Sequence, residues 1–161
     1  MGYLNRNNTV ANDKMPEEDT TPKLGEFVAH RVWWADHNDT IGWHLRSVYL
    51  YSDWKPHTPM EGHPEWSGNG VHGWKTQADL DAYAQDCLSL GRIFVKGTVE
   101  LWGMVDEYET GYRAQFAYPF TLDEILFAKG SLQWDELTGA LRLATSPPDD
   151  LLEILRRKYL G

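Results

Sequence analysis

Residues 92–108, RIFVKGTVELWGMVDEY, decide the fold because apolar and other side chains alternate along almost the whole stretch. The apolar positions of one face are Ile93, Val95, Val99, Leu101 and Val105. This period of two is typical of a β-strand. Gly97 and Gly103 fall on the same face, which predicts a bend or a close backbone approach. After a short turn, a return strand ends at Pro119, so residues 92–108 and 111–119 are predicted to form a central antiparallel hairpin.

Further strands precede this hairpin. Residues 25–34 and 41–51 are rich in β-branched and aromatic side chains, and the polar turn between them indicates another hairpin. A long loop rich in Pro and Gly covers residues 53–70. Residues 71–75 then form a short strand, and Thr76 begins a helix with an apolar stripe.

The C-terminal part is predicted to be helical. Thr121 and Glu124 have the spacing of a capping box, which predicts a helix through Phe127. Residues 131–144 have an ambiguous pattern that fits one helical turn around Trp134 and Leu137, followed by a short apolar segment. Ser146 is predicted to cap the last helix. We therefore expect an α+β fold: a curled, mainly antiparallel, barrel-like sheet with one packed helix and C-terminal helices.

The length and net charge of the chain limit the classes of protein to which it can belong. The 161 residues fit a flexible N-terminal arm at residues 1–23, polar and without periodicity, followed by a single domain at residues 24–161. The net charge is −9, and the only basic run, residues 156–158, falls at the end of the last predicted helix. This argues against binding to a nucleic-acid backbone, whereas an acidic surface can attract a basic partner or, alternatively, mimic DNA.

Several classes of site lack their signature. The sequence contains no G-x-S-x-G or P-loop motif, and we expect no cofactor. Cys87 is the single cysteine and falls in a helical apolar stripe, which predicts a buried thiol. No apolar run of membrane-spanning or signal-peptide type is visible, which predicts a cytoplasmic protein with no membrane partner. His57, His63 and Glu61 could converge on zinc, but solvated loop histidines are favoured and no metal site is predicted.

A group of aromatic and polar residues is the feature of the sequence that most suggests a binding site. Its members are His72, Trp74, Glu100, Trp102, Tyr112, Arg113 and Tyr118. Arg113 and Glu100 are expected to pair across the hairpin, either as a structural ion pair or beside a flat or cationic ligand held by the aromatic rings. An enzyme that uses His72, Glu100 and Arg113, such as a small hydrolase or nucleotide-modifying protein, is the alternative.

Three segments resemble a family of small, uncharacterised bacterial and bacteriophage proteins. They are GVHGWK at residues 70–75, VKGTVELWGMV at residues 95–105 and GYRAQFAYP at residues 111–119. The resemblance covers about residues 25–120 and implies a shared fold and a phage or accessory setting. Members often carry cysteines just before the first segment; this chain has none there, so no metal role carries over to that loop.

The sequence thus predicts a binding module without enzymatic activity. We expect a protein partner, such as a host or virion protein, to bind through an aromatic-rich surface or pocket. A small ligand is the alternative partner. An enzyme and an acidic DNA mimic are the alternative functions.

Overall fold

The computed structural model describes residues 23–48, 52–63, 70–88, 91–130, 132–135 and 137–161. Its strands are β1 (Lys23–Asn38), β2 (Gly42–Arg46), β3 (Met60–Glu61), β4 (Val71–Trp74), β5 (Phe94–Glu107), β6 (Gly111–Leu126), β7 (Leu132–Asp135) and β8 (Ala140–Leu143). Its helices are α1 (Gln77–Leu88) and α2 (Leu151–Leu160). The predicted arm, apart from Lys23, lies outside the described residues.

The sheet curls until its pairings return to the first strand. β5 pairs antiparallel with both β1 and β6, which confirms the predicted central hairpin. β4 pairs with β1 on one side and with β6 on the other, so the pairings β1–β5–β6–β4 close into a ring. β2 extends this sheet from β1, and β3 extends it from β6. The α+β class with a curled antiparallel sheet is therefore confirmed.

The two glycines of β5 coincide with the sharpest irregularities of the sheet. A Cβ at Gly97 would lie 2.0 Å from the carbonyl oxygen of Thr121, so only glycine allows this approach to β6. Gly103 has φ +82, a backbone conformation that favours glycine. The β5–β6 register shifts beside both residues, which lets the long hairpin bend around the core.

The interior of the ring is the main hydrophobic core, and α2 contributes to it. Trp33, Val99 and Leu101 are fully buried there with Leu155 and Tyr159 of α2. The side chains after Leu155 also fasten the helix to the sheet. Arg156 donates from Nε to the Leu122 carbonyl oxygen at 2.8 Å, and Lys158 donates from Nζ to the carbonyl oxygens of Ile41 and Trp43 at 2.7 and 2.6 Å. Arg156 and Lys158 of the basic run thus bind the protein's own backbone, and Arg157 pairs with Glu153 of the same helix at 2.8 Å.

α1 packs on the outer face of the ring. Leu80 and Cys87 of α1 are buried against Val32 and Phe94 of the sheet. The predicted start is confirmed, since Thr76 Oγ1 accepts a hydrogen bond from the backbone amide of Asp79 at 3.1 Å. Cys87 is buried as predicted, and burial raises the pKa of its thiol to about 12. Neither described helix is long and apolar enough to cross a membrane.

Three predictions for the C-terminal part are wrong. Residues 121–127 do not form a helix, because β6 continues to Leu126 and the Thr121 hydroxyl bonds that of Thr98 on β5 at 2.7 Å. Residues 131–144 hold the β7–β8 hairpin instead of a helical turn. The last helix begins at Leu151, five residues after Ser146, so the part of the chain described here has one helix C-terminal to the sheet.

Candidate binding surface

The structure distributes the predicted site residues over four places. Glu100 and Trp102 lie on the outer face of β5, His72 and Arg113 are opposite each other on β4 and β6, and Trp74 packs beneath α1. The two tyrosines, Tyr112 and Tyr118, belong to the packing of the core.

Glu100 and Trp102 belong to a part of the outer face that α1 does not cover. In the sheet register, Val28 lies opposite Glu100, Glu26 lies opposite Trp102, and Trp102 lies opposite Phe116. Because directly opposed residues project to the same side of a sheet, these five side chains share one surface. We call this surface, Glu26, Val28, Glu100, Trp102 and Phe116, the open sheet face.

The open sheet face combines apolar area with two carboxylates. Val28 is 55% exposed, and the partly exposed rings of Trp102 and Phe116 stack with centroids 6.0 Å apart and an interplanar angle of 28°. Glu26 and Glu100 occupy diagonal positions across β1 and β5, which places their Cα atoms about 7–8 Å apart. An indole with two neighbouring acids is suited to a cationic group, which can contact the ring and a carboxylate together.

His72 and Arg113 form a second, more buried feature. The Nε2 atom of His72 and the Nε atom of Arg113 are both shielded from solvent and make no hydrogen bond among the described residues. Burial, together with the nearby guanidinium groups of Arg113 and Arg31, holds the pKa of His72 well below its usual range. Arg31 also donates from its guanidinium group to the His72 carbonyl oxygen at 2.5 Å. His72 is therefore neutral at pH 7.

The expected pair between Arg113 and Glu100 does not form. Arg113 lies opposite Asp106, whereas Glu100 lies opposite Tyr118, five residues further along β6. At about 3.3 Å per residue, these positions are roughly 16 Å apart along the strand. The guanidinium group of Arg113 instead lies over the ring of Tyr108, 5.5 Å from its centroid. Glu100 therefore does not join His72 and Arg113 at one point.

Trp74 has a structural role at the edge of α1. Its ring contacts His72 edge-on at 4.8 Å and packs against Tyr83 of α1 at 5.8 Å. It joins the cluster between α1 and the sheet, so its indole fixes the helix in place.

The two tyrosines also stabilise the fold. Tyr112 stacks on Phe27 at 4.9 Å, and the ammonium group of Lys75 lies 5.4 Å from the Tyr112 ring centroid. The Tyr118 hydroxyl donates to the Tyr159 carbonyl oxygen at 2.8 Å and accepts from the His57 amide at 2.7 Å. Tyr118 thus connects β6, the loop before β3 and α2.

Three residues of the open sheet face, Glu26, Val28 and Phe116, were not singled out from the sequence. Val28 and its neighbour Ala29 are both apolar, so the sequence does not show that Val28 is exposed and Ala29 is buried. Phe116 lies in the same predicted strand, residues 111–119, as the candidate site residue Arg113. Its position opposite Trp102 depends on β-bulges that the sequence alone does not locate. The even spacing from Ala114 to Phe116 places Phe116 on the face of buried Ala114, so the alternation does not indicate its partly exposed position.

The histidines do not assemble a metal centre in the described part of the chain. No group of three or more His, Cys, Asp or Glu residues there could hold a metal ion, so His57, His63 and Glu61 form no such group. His44 is buried instead, with Nδ1 3.0 Å from the Gly42 carbonyl oxygen and Nε2 3.3 Å from Asp53.

No family model, curated protein or solved structure matches the chain. The resemblance to small bacterial and bacteriophage proteins therefore stays a prediction, and arguments about function depend on the geometry of the surface itself.

Proposed function

We propose that this protein is a binding module that holds a basic segment of a protein partner on the open sheet face. The observation that carries the proposal is the exposed apolar strip of Val28, Trp102 and Phe116 with Glu26 and Glu100 beside it. A lone exposed apolar residue is ordinary, but a contiguous strip on a sheet marks an interaction surface.

The chemistry of this surface favours a partner with Lys or Arg side chains. A cation over the face of an indole gains about 0.5–1 kcal/mol at an exposed site, and a neighbouring carboxylate adds an ion pair. The whole chain carries −9, so its field attracts a basic partner during approach. In the bacterial or bacteriophage setting that the resemblance implies, the partner is a host or virion protein in the cytoplasm.

The enzyme alternative has weaker support. It needs His72, Glu100 and Arg113 to converge near one reacting atom. Their register separates Glu100 from the other two by about five residues of β6. The pair that is close, His72 and Arg113, has its Nε2 and Nε atoms shielded from solvent.

The proposal is tested by capture from bacterial lysate with the tagged chain, followed by mass spectrometry and titration of the purified partner. We expect Trp102→Ala and Glu100→Gln each to weaken binding of that partner about tenfold, since each removes about 1–1.5 kcal/mol of contact energy. Glu109→Gln is the matched control, because Glu109 is an exposed acid in the turn between β5 and β6.

Salt dependence supplies an independent measurement. Binding that uses Glu26 and Glu100 weakens as ionic strength rises, and Glu100→Gln should reduce that dependence. A partner that binds Trp102→Ala and Glu100→Gln as tightly as the unmodified chain would show that the open sheet face is not its site.

A further inference from the structure

A second apolar surface lies outside the curled sheet. β7 and β8 form a separate two-stranded hairpin with no strand pairing to the main sheet. Leu132 pairs with Leu143 and Trp134 pairs with Leu141, which places these four side chains on one face. Each of them is between 53% and 65% exposed, and Leu137 in the turn is 96% exposed. We call these five residues the hairpin stripe.

The charged side chains described in β7 and β8, Asp135 and Arg142, are on the other face of the hairpin. Arg142 lies opposite Gln133, and its guanidinium group pairs with the Asp135 carboxylate at 3.1 Å. The apolar face of the described hairpin therefore carries no charged side chain.

A two-stranded hairpin is at best marginally stable in water unless a third strand or another layer covers its apolar face. In the described part of the chain, the hairpin stripe has no such cover. From this we infer that the hairpin stripe docks against the hairpin stripe of a second copy, so that the chain forms a symmetric dimer.

The apolar area of the hairpin stripe is consistent with a second copy of the chain as its partner. Five large apolar side chains at these exposures leave a patch on the order of 500 Å², at the upper end of what a typical monomer shows. A symmetric contact buries the patch on both copies, on the order of 1,000 Å² in total, which is the lower limit for a specific interface. The dimer should therefore be reversible and depend on concentration.

The shape and charge of the stripe also fit a second copy. A two-fold axis lets the same surface of each copy form both sides of the contact, and twisted sheets with apolar faces pack face to face. Each chain carries −9, but the Asp135–Arg142 pair on the far face keeps unbalanced charge out of the contact. Repulsion between the two domains then limits affinity without blocking the contact.

The test is sedimentation equilibrium of the full chain from the micromolar to the millimolar range. We expect the unmodified chain to move from one copy toward two, and Leu141→Lys to weaken the association at least tenfold. Phe120→Ser is the matched control: Phe120 on β6 is also 53% exposed, and its change should leave the association unaltered. A chain that stays monomeric throughout this range would overturn the inference.

Two further measurements keep the test decisive if Leu141→Lys disturbs the hairpin. In the unmodified chain, the indole N–H signal of Trp134, assigned with Trp134→Phe, should shift with concentration. The Trp102 signal should not. If Trp102→Ala abolishes the dimer while Leu141→Lys preserves it, the open sheet face, and not the hairpin, joins the two copies. If the signal of Trp134 does not move while association occurs, the inference also fails.

Discussion

The hydroxyl group of Tyr159 donates a hydrogen bond to the carbonyl oxygen of Trp54 at 2.6 Å and thereby joins α2 to the segment after β2. The same hydroxyl accepts from the backbone amide of Leu45 at 3.0 Å. Both contacts are buried, so one oxygen atom satisfies two backbone groups that water does not reach.

Tyr159→Phe should lower the free energy of unfolding by about 1–3 kcal/mol, because it leaves a buried donor and a buried acceptor without their partner. Chemical denaturation at pH 7 measures this change. Tyr112→Phe is the control: its ring stacks on Phe27 and stays partly exposed, so the loss should stay within about 0.5 kcal/mol. Equal losses in the two variants would contradict the assigned role of Tyr159.

The thiol of Cys87 should be almost inert in the folded protein. Burial raises its pKa from 9.0 to about 12, which lowers the thiolate fraction at neutral pH about 1000-fold. We expect reaction with a thiol reagent to be slow in buffer and fast in denaturant. Rapid labelling of the folded chain, at the rate seen in denaturant, would show that Cys87 is exposed.

Stability should fall as the pH drops below 6.5 because His72 stays neutral in the fold. Its folded pKa lies below the unfolded value of 6.5, so the unfolded chain takes up the proton first and the stability contributed above pH 6.5 is lost below it. Between pH 6.5 and 5.5 this loss is at most about 1 kcal/mol.

The free energy of unfolding of His72→Gln, measured at pH 6.5 and at pH 5.5, isolates the contribution of His72. The variant should lose less stability on acidification than the unmodified chain. His37→Gln is the control at an exposed position near the end of β1 and should keep the full pH dependence. An unchanged pH dependence in His72→Gln would assign the effect to other groups.

Gly97→Ala should destabilise the protein by about 3 kcal/mol, because the new Cβ meets the Thr121 carbonyl oxygen at 2.0 Å and neither backbone can move freely. Gly42→Ala provides the comparison. Its Cβ would meet nothing within 4 Å, and only its φ of +73 opposes the change, which costs about 1 kcal/mol. Thermal unfolding measures both changes. A larger loss of stability in Gly42→Ala than in Gly97→Ala would contradict the close contact assigned to Gly97.

Local patterns predicted those elements that local interactions determine. The alternation from Ile93 to Val105 identified β5, and the Thr76 hydroxyl identified the start of α1. The capping pattern at Thr121 was misleading, because pairing with Thr98 on β5 replaces the helical hydrogen bonds that the pattern offers. The helical turn predicted around Trp134 and Leu137 overlooked the alternation of Leu132 with Trp134 and of Leu141 with Leu143.

The candidate surface was only partly predictable. Alternation along β5 placed Glu100 and Trp102 on one face, as the structure has them. It could not give their partners across the sheet, because the β5–β6 register shifts at three places between Lys96 and Val105. The shift between Val105 and Trp102 brings Phe116 opposite Trp102. Arg113 faces Asp106 between the turn and the first shift, so the position of the turn alone separates it from Glu100.

The contact between Tyr159 and Leu45 spans 114 positions of the chain, which affects how quickly the protein folds. The ring itself also joins strands far apart in sequence, such as β1 and β5. Proteins dominated by such long-range contacts fold in milliseconds to seconds, because closing a long loop costs entropy before the stabilising contacts form. Until α2 docks, the apolar interior around Trp33 and Leu45 stays accessible to other chains, so fast dilution and low protein concentration should favour refolding over aggregation.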